Sequence, residues 1–231
     1  MAEGSREDYL KIAHTCYALA KSPASNFREA IQSLWFLFVI LQMESNASSF
    51  SPGRADQYLY SYYAKDIEAG VLTIEEALEL IEAMFIKFNQ IVYMRNTKSA
   101  EFFAGFPIGF NIAIGGQNAD GSDASNELSY IMLRAQENLQ LRQPNLSARL
   151  HANSPELLVR RVAEVIGKGT GMPQLFNDEA IIPALERAGY SHEDAVNYAV
   201  VGCVELSTHG NALGFSDAAM FNMIKALELT L

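Results

Sequence analysis

From Phe110 to Gly202, short apolar segments alternate with capped helices, and this alternation restricts the fold more than any other feature of the chain. Residues 110–116, 145–150, 173–176 and 198–202 read as strands. A helix from Asn126 to about Leu141 separates the first two. Ser154 as N-cap with Pro155 at the first turn opens a helix to about Ile166. Asn177 or Asp178 caps the next helix, which Gly189 closes after Ala188, and Ser191 caps a shorter one. Strands joined through helices pair in parallel, because a parallel pair needs a long crossover. The expected class is therefore α/β, with a parallel sheet covered by helices. In such sheets functional groups gather at the C-terminal strand ends, and Cys203 follows the last predicted strand.

The first hundred residues read as helical. Residues 6–22 carry an apolar side that includes Cys16, expected as a core thiol. A second helix starts near Ser25 or Asn26 and runs to about Met43. It is apolar nearly all round after Ile31 and is expected to be central. Residues 44–54 read as a solvated, serine-rich connector, followed by an aromatic-rich helix over 54–63. Thr73 with Glu76 forms a capping box for a helix to about Ile91. Residues 95–108 are expected to be irregular and 117–123 to form a surface turn. The glycine pair Gly115-Gly116 is weak evidence for a phosphate site. A helical pattern from Asp217 to Leu231 stops without a capping signal, so the chain is expected to be an internal segment of a longer protein. It reads as one continuous domain or part of one.

A net charge of −10 over 231 residues argues against nucleic acid or an anionic membrane as the main partner. Two cysteines give no disulfide framework, the longest apolar run is too short for a bilayer, and the start has no leader pattern. A cytoplasmic location is expected.

The sequence Gly202-Cys-Val-Glu205 concentrates the chemistry. In an extended segment Cys203 and Glu205 project to one side, with Val204 facing away. Three chemistries are open. A nucleophilic thiol needs a base, and of His14, His151, His192 and His209 only His209 is near in sequence. A metal site from Cys203, Glu205, His209 and Asp217 lacks diagnostic spacing. A buried cysteine thiyl radical beside a carboxylate can abstract hydrogen from an unactivated C–H bond while the carboxylate takes a proton, in a site that excludes water.

Six segments in order carry a resemblance: Ser51-Pro-Gly-Arg-Ala-Asp-Gln-Tyr58, Asp120-Gly-Ser-Asp-Ala-Ser-Asn-Glu-Leu-Ser129, Gln143-Pro-Asn-Leu-Ser-Ala-Arg149, Gly171-Met-Pro-Gln-Leu-Phe-Asn-Asp178, Gly202-Cys-Val-Glu205 and Ser216-Asp-Ala-Ala-Met-Phe-Asn222. The chain resembles the glycyl radical enzymes of the pyruvate formate-lyase and glycerol dehydratase group, in the eliminase branch. Formate-lyase activity is disfavoured, since Val204 stands where that enzyme has a second cysteine. The resemblance implies a segment of a ten-stranded β/α barrel with additional helices, lacking the C-terminal glycine radical domain. It implies a lyase or dehydratase of anaerobic metabolism in which Cys203 is the thiyl site and Glu205 the base. Substrate contacts are implied at Asp217, with Ser216 beside it, and at Ser48, Ser49 and Gly109. No cofactor is expected on this segment. The parent would take its glycyl radical from an activating enzyme that uses S-adenosylmethionine and an iron–sulfur cluster, and would act as a homodimer on a small hydroxylated molecule.

Ser48-Ser49 replaces the His-Ser pair of glycerol dehydratase-like members, Gly109 stands where choline lyase-like members have phenylalanine, and Ser207–Asn211 replaces a proline-rich turn. Diol, hydroxyproline, choline-like and sulfonate substrates stay open. By itself the segment is expected to be inactive. A non-catalytic or structural subunit and a cysteine hydrolase are the competing readings.

Overall fold

The computed structural model describes residues 3–45, 49–91, 96–102, 109–208, 210, 212 and 221–231. Helix α1 (Glu3–Leu19) leads to α2 (Phe27–Ser45), which Asn26 caps by accepting a hydrogen bond from the Glu29 N–H at 2.9 Å. Two short helices follow, α3 (Ala55–Tyr58) and α4 (Tyr60–Glu68). The capping box forms as expected. Thr73 Oγ1 accepts from Glu76 N at 3.2 Å, and the Glu76 carboxylate accepts from Thr73 N at 2.9 Å, opening α5 (Ile74–Gln90).

Residues 95–108 are not irregular throughout. Helix α6 (Thr97–Phe102) lies there, in a stretch free of glycine and proline that gives a helix no reason to stop. The sheet then begins. Strand β1 (Asn111–Gly115), helix α7 (Glu127–Leu139), strand β2 (Asn145–Leu150), helix α8 (Glu156–Ile166) and strand β3 (Gln174–Asn177) alternate. β1 pairs with β2 and β2 with β3, both in parallel. Ser154 does not cap α8, whose N-cap is Pro155. Its hydroxyl accepts from the His151 N–H at 2.9 Å and closes the turn after β2 instead.

The two faces of this sheet differ. Ile112, Ile114, Leu146 and Ala148 alternate onto one face and join the main core, where Phe38, Phe88 and Phe110 pack with ring centroids 4.7–5.1 Å apart. The opposite face carries Asn111, Ala113, Gly115, Asn145, Ser147 and Arg149, all buried. That polar face positions the site.

Helices α9 (Asp178–Arg187) and α10 (His192–Val196) precede β4 (Tyr198–Val201). Asn177 caps α9 and Ser191 caps α10. β4 was expected to extend the parallel series. Instead it pairs antiparallel with β5 (Glu205–Thr208) in a separate two-stranded sheet. Only residues 202–204 connect the two strands, too few for a crossover but enough for a hairpin. Ser207 and Thr208, the first two residues of the run that stands in place of a proline-rich turn, are buried strand residues.

Two further expectations change. The serine-rich connector is not solvated at its end. Residues 52–56 are buried, and Gly53 bridges in parallel to Ile112 at the edge of β1. α2 is not buried all round either. Ile31 and Phe38 are in the core, whereas Phe36, Leu37, Ile40 and Met43 are exposed. On α1, Tyr9, Leu10, Ile12 and Tyr17 are exposed and Cys16 is half-buried. Helix α11 (Met223–Thr230) begins at an Asn222 cap, and residues 217–220 of the helix expected from Asp217 lie outside the described residues. Among the described residues, no helix is long and apolar enough to cross a membrane.

Candidate active site

Cys203 is exposed in the turn of the β4–β5 hairpin, and Glu205 opens β5 half-buried. The two do not share one side of an extended strand, nor is the thiol buried. A turn residue has no flanking strand neighbours to cover it. The pair is brought together by a different device. The Glu205 side chain folds back over the turn, where Oε2 accepts from the Val204 N–H at 3.1 Å.

Gly202 is the floor of this arrangement. Its φ of +60° lies in the left-handed region that glycine tolerates. A methyl group built on it would stand 2.7 Å from Glu205 Oε2 and 3.2 Å from Ser49 Oγ. A methyl group on Gly109 would touch Cys203 Sγ at 3.7 Å. Cys203, Glu205, Ser49 and Gly109, which come from three separated stretches of sequence, thus surround one turn. Ser48, Ser216 and Asp217 lie outside the described residues, as does His209.

Beneath the hairpin runs a buried ionic network that sequence reasoning missed. Arg149 on β2 forms a two-pronged ion pair with Asp178, with Nε–Oδ1 at 3.0 Å and Nη2–Oδ2 at 2.8 Å, both side chains fully buried. The guanidinium also donates to the carbonyls of Tyr198 and Val196 at 2.8 and 2.9 Å, and lies 3.8 Å from the centre of the Tyr198 ring. The Tyr198 hydroxyl donates to Asp178 Oδ1 at 2.6 Å. Burial above all pushes that phenol upward, so it stays a donor. These bonds fasten β4, and with it the Cys203 turn, to the polar face of the sheet. They also explain the glycine pair. A methyl group on Gly116 would sit 2.7 Å from the Arg149 guanidinium carbon, so the pair makes room for arginine and not for phosphate.

Arg54 and Asp56 extend the network. Arg54 donates to Asn197 Oδ1 and to the carbonyls of Gly115 and Gln117. Burial, followed by the like charge of Arg149, lowers its pKa to about 10. Burial raises the Asp56 carboxyl against the pull of its bonds from Ser129 Oγ at 2.6 Å and Gly115 N at 2.7 Å. A signal for this network was present. Arg54, Asp56, Arg149 and Asp178 all fall inside the segments that carry the resemblance, and Arg149 is a charge inside a strand pattern that is otherwise uncharged.

Residues 1–231, the whole chain, match the family described as pyruvate formate lyase-like. The chain belongs to that family. It is similar to isethionate sulfite-lyase of Oleidesulfovibrio alaskensis, with 39% identity over 95% of this chain and 27% of that protein. Its structure is similar to that of a Roseburia inulinivorans protein described for 1,2-propanediol dehydration, with a TM-score of 0.96 and 43% identity over 99% of this chain and 29% of that one. It also resembles a glycyl radical enzyme from Archaeoglobus fulgidus, with a TM-score of 0.94 and 38% identity over 100% of this chain and 30% of that one. The expected resemblance to glycyl radical enzymes is borne out, and the mixed helix-and-sheet fold is a segment of their larger barrel. The chain spans between a quarter and a third of the length of these relatives.

Proposed function

We propose that the protein carrying this segment is a lyase of the glycyl radical class, with Cys203 as the hydrogen-abstracting thiol and Glu205 as the base. The observation that carries this reading is the folding of the Glu205 carboxylate back over the Gly202 turn that presents the Cys203 thiol. Ser49 adds a hydroxyl on the same side of the turn, suited to a substrate hydroxyl.

The thiol fits radical chemistry. It is presented on a tight turn, and its contact at Gly109 is with a residue that carries no side chain to block approach. The glycyl radical, installed by an activating enzyme that uses S-adenosylmethionine and an iron–sulfur cluster, supplies the unpaired electron when present. Cys203 Sγ, one electron short, takes a hydrogen atom from a C–H bond beside a hydroxyl. The Glu205 carboxylate takes the hydroxyl proton. The group on the next carbon departs with its bonding electron pair and, where it is a hydroxyl, with the proton that Glu205 carries. The hydrogen atom held on Cys203 then returns to the product carbon. Relatives are named for the loss of sulfite from isethionate and for the dehydration of 1,2-propanediol, two molecules with a hydroxyl on the carbon next to the leaving group, so the substrate read here is a small hydroxylated molecule of that form.

The test uses the full-length polypeptide, activated without oxygen and offered glycerol, 1,2-propanediol, isethionate and trans-4-hydroxy-L-proline. Cys203→Ala is expected to abolish turnover while leaving the glycyl signal in electron paramagnetic resonance intact. Turnover that survives Cys203→Ala ends the reading. Glu205→Gln is expected to leave KM near its original value and to lower kcat by about 10²–10⁴-fold, the usual contribution of a positioned base. An unchanged kcat removes Glu205 from the mechanism.

A further inference from the structure

Both backbone polar groups of Gly202 are held by side chains from distant parts of the chain. Its N–H donates to Ser51 Oγ at 3.0 Å. Its carbonyl oxygen accepts from Asn111 Nδ2 at 3.4 Å and from Asn145 Nδ2 at 3.3 Å. Asn111 and Asn145 are direct neighbours in the register of β1 and β2, and each is the first residue of its strand. Asn111 is fully buried and Asn145 nearly so. A carbonyl oxygen only accepts, so both amides must present nitrogen to it, which fixes their orientation. Ser51 Oγ does more than meet Gly202. It also accepts from the Asn111 N–H at 2.9 Å and donates to the Ser49 carbonyl at 3.3 Å.

The Gly202 carbonyl, the Cys203 nitrogen and the Cys203 Cα lie in one rigid peptide plane. Two donors converging on that carbonyl fix the plane, and the plane sets where the Cys203 side chain leaves the backbone. The same serine that holds the Gly202 N–H ties down Ser49, whose hydroxyl borders the same space over Gly202 as Glu205 Oε2. We infer that Ser51, Asn111 and Asn145 are positioning residues that orient the Cys203 thiol relative to Glu205 and Ser49. They touch the backbone of the turn and not the reacting atoms. Serine and asparagine suit the task because they are short, uncharged and offer directed hydrogen bonds, whereas apolar residues at these places would bury the Gly202 groups unpaired.

This inference rests on the role of Cys203 given above, and two measurements separate them. The first is amide hydrogen exchange at Gly202 in the full-length protein before activation, which needs no turnover. Ser51→Ala is expected to speed exchange at Gly202 at least tenfold, with the amides of β2 and β3 unchanged as the sign that the fold is kept. The second is turnover after activation, on whichever of glycerol, 1,2-propanediol, isethionate or trans-4-hydroxy-L-proline the protein consumes. Ser51→Ala and Asn145→Ala are each expected to lower kcat at least tenfold, with KM within about twofold and the glycyl signal undiminished. Ser51→Thr keeps the hydroxyl and is expected to restore both exchange and kcat. Should Ser51→Ala fail to fold, Asn145→Ala alone decides. A kcat within twofold of the original in Asn145→Ala, or Gly202 exchange unchanged in a folded Ser51→Ala, overturns the inference. Turnover surviving Cys203→Ala would instead sink the catalytic role of the thiol, and the exchange result would still judge the clamp.

Discussion

Gly202 shows how much one residue without a side chain can decide. Its left-handed φ costs an L-residue roughly 1–2 kcal/mol, and its missing side chain leaves the space that Glu205 Oε2 fills. Gly202→Ala is therefore expected to lose about 1–2 kcal/mol in urea denaturation and to push the flexible Glu205 carboxylate aside. In the activated full-length protein it should lower kcat about as far as Glu205→Gln does, a match that backbone strain alone would not produce. The sequence showed Cys203 and Glu205 as a pair because they are two positions apart. It did not show Asn111 and Asn145 as their support. An asparagine at the head of each strand was visible, but its partner, the Gly202 carbonyl, lies 91 and 57 residues away. Nothing local marks such a bond.

At the scale of elements, the β4–β5 hairpin is held by charge as well as by a small apolar cluster in which Tyr198 and Leu206 pack with Ile182, Ala195 and Val196. Asp178 ties α9 to β2 through Arg149, and Arg149 ties β2 to the backbone of β4. Removing one member leaves the other charged and buried. Asp178→Ala is expected to cost about 3–5 kcal/mol in chemical denaturation, well above the cost of an exposed ion pair. A second tie is sensitive to pH. His192, the first residue of α10, meets Glu186 through Nδ1 at 2.6 Å and the Ala119 carbonyl through Nε2 at 3.2 Å. Both partners accept, so the doubly protonated ring fits best, and the Glu186 bond first and the Ala119 bond second raise its pKa. A raised histidine contributes stability fully below its unfolded value, about 6.5, and loses it as pH rises through the folded value. Thermal unfolding from pH 5.5 to 8 is expected to show a small decline that His192→Ala abolishes. Most helices and strands here were legible, because Thr73, Asn126, Asn177 and Ser191 cap their own helices through bonds to residues two or three positions on. The direction of β4 was not, because a strand's partner is chosen by what it can reach, and three turn residues reach only an antiparallel neighbour.

For the molecule as a whole, Phe36, Leu37, Ile40 and Met43 form an exposed apolar stripe along α2 at helical spacing. Stripes of this kind associate in water. Expressed by itself, the 231-residue chain is expected to self-associate with rising concentration in light scattering, and Leu37→Lys with Ile40→Lys to reduce that association. Retained association in the double variant would assign it to another surface. The whole chain aligns with relatives three to four times its length, which accords with a sequence richer in apolar residues than its own described core can cover. The order of the elements, the capping of the helices, the two-faced pattern of the parallel strands and the membership of the family were all fixed by residues acting on near neighbours or standing in a set order along the chain. The tertiary structure alone decided that the thiol sits on a hairpin turn, that a buried arginine ties the strand before that turn to the sheet, and that a serine 151 residues upstream grips the glycine beside it. Those contacts join segments far apart in sequence, and only closure of the fold supplies the short distances and low dielectric that make them form.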